Sequence, residues 1–180
     1  MRKTKKLALA SLCAALGTVF VSFGALLNVF DMSAALLASL VVLFCLMEMG
    51  FRWSIGVYAV ISILSLILMP GASAAWMFLL LFGYMPISKF GFERFCKKAV
   101  WVAWIPKLAL FNALYAVMVF LLGGLLGFTA ENAFGIPPVA VYIAFFALGN
   151  LLYIVCDIFY GRLARIYIVK FRHRFSRYLK

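Results

Sequence analysis

The chain has 180 residues, 68% of them hydrophobic and 12% charged, with 17 lysines and arginines against 5 acids and a formal charge of +12. Ordinary soluble domains are about 45–50% apolar and about 25% charged, so this composition excludes a soluble fold that hides its apolar surface. A hydrocarbon core about 30 Å thick needs about 20 apolar residues per helix, which leaves room for six spans with short connections and none for a separate soluble domain.

Taken in chain order, the basic start MRKTKK runs into an apolar segment over 7–29. That segment is longer than the roughly 7–15 apolar residues of a secretory signal, and no small-x-small cleavage site precedes Asp31. It is therefore read as a retained first helix. Hydropathy places further spans at 33–50, 54–69, 73–88, 102–126 and 139–160, followed by a basic tail over 161–180. Met69-Pro70-Gly71 makes a tight turn, so the third and fourth spans read as a hairpin. Gly83 and Pro86 are expected to loosen or kink the fourth helix near its end. From Lys89 to Lys98 the chain reads as a polar, partly amphipathic interfacial segment. The fold class expected is an all-α integral membrane protein, a compact bundle of six transmembrane helices.

Charge then orients the bundle. Cytoplasmic connections are enriched in Lys and Arg, and the six-span reading puts all 17 basic residues on one face: before helix 1, at Arg52, around Lys89 to Lys107, and from Arg162 onward. The opposite connections hold only Asp31 and Glu131 as charges. Both termini are expected in the cytoplasm of a bacterium, with the chain in its inner membrane. On this topology the positive charge faces anionic lipids, and a nucleic-acid partner is not expected. The tail continues helix 6, with Leu163, Ile166, Tyr167, Phe171, Phe175 and Leu179 at spacings of three or four among basic residues. Such a helix lies along inner headgroups or docks on a cytoplasmic partner, the lipid reading being favoured.

The four cysteines (Cys13, Cys45, Cys96, Cys156) show no CxxC or histidine-linked spacing, and the only histidine, His173, sits in the tail. Neither a metal site nor a disulfide framework is expected; the cysteines read as small core residues. No GxSxG, HExxH, P-loop or GxGxxG is present, so neither catalysis nor a cofactor is expected.

A polar side chain in hydrocarbon needs a packing partner or a function. Asn28 and Asp31 lie at the outer end of helix 1, Trp76 at the outer start of helix 4, Glu131 and Asn132 in the loop GFTAENAFGIPP, and Tyr142 and Asn150 in helix 6. Together they are candidates to surround a small ligand at the outer face. Each also has a structural reading: helix caps for Asn28 and Asp31, an interfacial aromatic for Trp76, a cross-helix bond for Asn150. Asn112 and Asn150 fall at similar depth on antiparallel helices and are candidates to bond each other. Lys107 and Asp157 are placed to neutralise one another, and Glu48 and Arg52 stand at i,i+4 with Gly50 between them. In helix 1, Ala10, Ala14 and Gly17 form a small-residue stripe. It permits close approach either to a neighbouring helix or to a partner protein.

Six helices in about 180 residues with both ends inside, the basic start running into Ala10 and Ala14, and helix 1 leading into an outer loop at Asn28 to Asp31 together resemble the substrate-binding S components of energy-coupling factor (ECF) transporters. The resemblance implies a compact unit that captures a small micronutrient or vitamin at its outer face. It implies ligand contacts among Asn28, Asp31, Trp76, Glu131, Asn132, Tyr142 and Asn150. It further implies that Ala10, Ala14 and Gly17 meet a transmembrane coupling subunit, with two cytoplasmic ATPases driving import. The chain departs from many S components between helices 2 and 3, where it has neither proline nor an outward polar cluster. Two other classes stand beside this one: a structural or assembly protein similar to the shape-determining MreD family, and a lipid or polyprenyl carrier. With few outward charges, a neutral or zwitterionic ligand fits better than a polyanion, while Asp31 and Glu131 suit a cation.

Overall fold

The computed structural model describes residues 3–27, 30–95, 104–121 and 138–171. Among these every regular element is helical: α1 (Lys3–Leu27), α2 (Asp31–Met49), α3 (Phe51–Leu68), α4 (Ser73–Met77), α5 (Met85–Phe95), α6 (Trp104–Leu121) and α7 (Pro138–Ile166). A π-helical turn, Phe78–Phe82, joins α4 to α5, and a second, Tyr167–Phe171, extends α7. Five helical stretches are long and apolar enough to cross a membrane: α1, α2, α3, the combined Ser73–Arg94 unit and α7. The apolar α6 makes a sixth, shorter one. The protein is a multi-pass helical membrane protein. Its lipid-exposed skin carries bare Leu12, Val19, Phe23, Ile63, Ile67 and Leu148, each more than half exposed, an apolar surface that water would not tolerate.

Local chemistry sets the breaks. Gly50 takes φ 91°, a left-handed conformation that a residue with a Cβ rarely adopts, and turns α2 into α3. Pro70-Gly71 closes the next turn, with the Ala72 amide donating to the Met69 carbonyl at 3.1 Å. Pro86 lacks an N–H and its ring crowds the carbonyl four residues back, so a regular helix cannot pass through it. The preceding turn widens instead: the Gly83 amide donates to Phe78 at 2.7 Å, which takes it away from the Leu79 carbonyl. The Tyr58 hydroxyl fills that vacancy, donating to Leu79 at 2.8 Å. A Cβ at position 83 would stand 2.7 Å from the Tyr58 ring, so glycine is what lets α3 press against this turn.

The expected kink is therefore present, but it lies in the middle of the fourth span rather than near its end. Beyond it the helix continues to Phe95, where the sequence suggested an interfacial segment beginning at Lys89. Lys89 is 7% exposed. It is drawn in because acidic partners wait there.

Helix α2 is the centre of the bundle, packing on α1, α3, the fourth span and α7. Its Ala35, Ala38, Val42 and Cys45 are almost wholly enclosed; side chains this small let the helix backbones close up. Residue pairing gives the helix directions. Between α6 and α7 the pairs are Lys107 with Asp157, Phe111 with Tyr153, Asn112 with Asn150 and Tyr115 with Phe146, so these helices run antiparallel. Between α2 and α7, Ser39 meets Tyr160 and Glu48 meets Tyr167, so these run parallel. Arg52, Arg94, Lys107 and Arg162 consequently gather at one end of the bundle, the basic end, and Asp31 and Ser73 lie at the other, the Asp31 end.

The small-residue stripe of α1 is used inside the molecule. Ala14 is 6% exposed and Gly17 is buried, and a Cβ on Gly17 would meet Ile61 Cδ1 at 2.4 Å. Ala10 is half-buried against the same core. Within the chain Ala14 and Gly17 thus pack inward, where Ile61 of α3 fills the groove that the glycine opens.

Candidate functional site

Two assemblies of side chains rise above ordinary packing, one at each end of the bundle. From the Asp31 end a cavity of about 520 Å³ runs inward between α2, the kinked fourth span, α6 and α7, within the range of about 300–1,000 Å³ usual for small-ligand sites. Met77, Leu81, Phe82 and Met85 form one wall, Phe111, Tyr115 and Met118 a second, and Phe145, Leu148, Leu151, Leu152 and Val155 a third, with Met32 at the rim. The fourth span bends where Phe82 and Met85 meet the cavity, so the Pro86 kink shapes the wall. Gly149 supplies further room: a Cβ there would stand 2.7 Å from Tyr115 Cε1.

At the basic end, four ionisable side chains close a ring across α5, α6 and α7. Lys89 Nζ lies 2.6 Å from Asp157 and 3.3 Å from Glu93; Lys107 Nζ lies 2.9 Å from Glu93 and 3.5 Å from Asp157. Each carboxylate thus bridges both lysines. The side chains of Lys107, Asp157 and Lys89 are 1%, 5% and 9% exposed, and only Glu93 reaches outward. Burying one charge is costly, and burying balanced, mutually bonded charges is tolerable. Gly161, one turn past Asp157, makes room for the lysine: a Cβ there would meet Lys89 Cε at 3.2 Å. The two assemblies are neighbours along the chain, since Met85, Phe111 and Val155 of the cavity stand one turn or less from Lys89, Lys107 and Asp157.

The pairing expected of Lys107 and Asp157 is present, as part of this larger ring. Lys89 and Glu93 were missed as members, although their i,i+4 spacing on a helix with no other acid was a usable signal. Glu48 does not pair with Arg52: Gly50 ends the helix between them, and the Glu48 carboxylate accepts the Tyr167 hydroxyl at 2.7 Å.

Four of the candidate ligand residues lie among the described residues. Asp31 Oδ2 accepts the Ser73 hydroxyl, tying α2 to the start of α4, while its Oδ1 is shielded and unpartnered. Trp76 Nε1 donates to the Pro70 carbonyl at 3.1 Å, which pins the turn. Tyr142 is half-buried on the first turns of α7. Asn150 lies deeper along α7, between the cavity-lining Gly149 and Leu151. It exchanges two hydrogen bonds with Asn112, at 2.8 and 3.0 Å, and donates its second proton to the Phe146 carbonyl at 2.8 Å. Asn28, Glu131 and Asn132 lie outside the described residues. Among the described residues, Cys13, Cys45 and Cys156 are free thiols in the core.

The asparagine pair makes a first prediction. Asn150→Leu strands the Asn112 amide and is expected to lower stability by about 1–2 kcal/mol, whereas Asn112→Leu with Asn150→Leu is expected to recover most of that loss. Thermal unfolding of the detergent-solubilised protein measures both; equal losses for the single and double changes would contradict the pairing.

No protein-family model, curated protein or solved structure matches the chain.

Proposed function

We propose that the chain is a membrane-embedded binding subunit, similar in role to the S components of ECF transporters. It takes up a small, largely apolar molecule at the outer face for import driven by partner subunits. The observation that carries this reading is the cavity of about 520 Å³ at the Asp31 end. A groove of this size lined by apolar side chains between helices of a bundle has the dimensions and the chemistry of a small-ligand site. Orientation follows from charge: the basic end faces the cytoplasm and the cavity end faces out. Among the sequence-derived candidates, Asp31 and Trp76 are the chain neighbours of the cavity residues Met32 and Met77, which supports a role for them near its outer end. Import against a gradient needs an energy source, and the sequence carries no nucleotide motif, so the reading requires a coupling subunit and two ATPases.

Affinity purification of the full chain in mild detergent tests this. Co-purification of a coupling subunit with two ATPases, together with a small molecule retained at about one per chain, is the expected result. Recovery of a cell-envelope assembly complex with no retained molecule would overturn it in favour of the structural-protein reading.

A further inference from the structure

We propose that the cavity holds one hydrocarbon chain of a bilayer amphiphile, a lipid with an ammonium head group that rests against Asp31. This names the ligand class of the binding site proposed above and rests on that reading of the cavity.

Access comes first. The wall formed by α7 stands open to the bilayer, with Leu148, Leu151 and Val155 at 63%, 59% and 56% exposed, whereas Phe82, Phe111 and Met118 opposite are at most 2% exposed. A molecule therefore enters sideways from the hydrocarbon, where a polar solute is scarce and a lipid chain is the solvent. Depth agrees. Along α7 the cavity runs from Phe145 to Val155, about 15 Å at the helical rise, half of a hydrocarbon core about 30 Å thick and so the depth of one leaflet.

Lining chemistry agrees as well. Among the described residues Tyr115 carries the only polar side chain of the lining, and its hydroxyl is already engaged, donating to the Phe145 carbonyl at 3.2 Å. Four methionines, Met32, Met77, Met85 and Met118, line the rest with flexible side chains that adapt to a chain lacking a fixed shape. No group in this lining orients a heterocycle. A hydrocarbon chain asks for none.

The head group is set by the mouth. Ser73, whose hydroxyl donates to Asp31 Oδ2, lies one helical turn from Met77 at the cavity's outer end. Asp31 Oδ1 is shielded from solvent yet has no donor among the described residues, a state that costs the full desolvation of an acceptor unless a further group supplies the bond. An ammonium supplies it with a charge-assisted hydrogen bond. An anionic head would meet the carboxylate instead, and the charge distribution assigns no lysine or arginine to this end.

The test reconstitutes the full chain in nanodiscs of equal phosphatidylethanolamine and phosphatidylglycerol, re-extracts it in mild detergent, and counts retained lipids by native mass spectrometry. One phosphatidylethanolamine per chain is expected, enriched about tenfold over phosphatidylglycerol. Leu148→Trp with Leu151→Trp fills the cavity from its exposed wall and is expected to abolish retention. Ile67→Trp, on the exposed face of α3, is expected to leave it intact. Asp31→Asn is expected to keep one lipid per chain while losing the head-group preference. Retention unchanged by the paired tryptophans, or no head-group preference in the parent chain, overturns the proposal. A retained solute with no lipid overturns the amphiphile while leaving the binding-subunit reading standing. A retained lipid here, with neither coupling subunit nor ATPases in the affinity purification above, supports the amphiphile and removes the transporter reading; an empty protein in both experiments removes both.

Discussion

Asp157→Leu is expected to destabilise the protein by about 3–5 kcal/mol, the usual penalty for stripping one partner from a buried ion pair. Asp157 bridges Lys89 and Lys107, and without it two enclosed ammonium groups share the single carboxylate of Glu93. Lys107, with a side chain 1% exposed, cannot turn to water for relief. Neutralising the whole ring is a different experiment. Lys89→Met, Glu93→Gln, Lys107→Met and Asp157→Asn together leave no charge unpaired, and balanced buried pairs contribute little net stability. The fourfold variant is therefore expected to be more stable than Asp157→Leu alone, by denaturant unfolding in detergent micelles. The reverse order would show that the ring stabilises the fold outright. Because the ring joins α5, α6 and α7 next to the cavity floor, its loss is also expected to loosen that floor, read as faster labelling of the buried Cys156 thiol by a maleimide.

The second large effect belongs to the tightest helix contact. A Cβ on Gly24 would stand 2.2 Å from the Ala34 Cβ, an atom fixed to the α2 backbone, so Gly24→Ala forces the two helices apart. Overpacking of this kind costs about 1–3 kcal/mol. Gly17→Ala meets Ile61 Cδ1 instead, the far end of a side chain that has room to rotate, and is expected to cost less. The distinction is checked by adding Ile61→Val, which removes the clashing methyl. That change is expected to rescue Gly17→Ala and to leave Gly24→Ala unrelieved. Equal rescue of both would mean that α1 shifts as a rigid rod.

Much of this architecture is legible along the chain. Gly50, the Pro70-Gly71 turn and Pro86 mark breaks by backbone geometry that any neighbour must accept, and the structure places a break at each. The asparagine pair and the Lys107–Asp157 pair also follow from the sequence, because depth in antiparallel helices is a matter of counting residues from a turn. Other features escaped for a common reason. Helices that are apolar on every side carry little amphipathic signal, so the sequence does not say which side of each helix faces in. Gly17 and Gly24 point to the core by rotation about the α1 axis, which no periodic pattern announces. Lys89 looked interfacial because hydropathy averages over a window, and the acids that neutralise it come from one turn further on and from a helix 68 residues away.

The sequence by itself determined that this is a chain of apolar helices with its basic residues collected at one end, since hydrophobic length and charge placement act residue by residue on the membrane. Only the tertiary structure decided that Ala14 and Gly17 pack inward, that four charges close a buried ring, and that a cavity opens between α6, α7 and the kinked fourth span. Those features depend on how helices rotate and approach one another, and that is settled by side-chain shape, which hydropathy does not record.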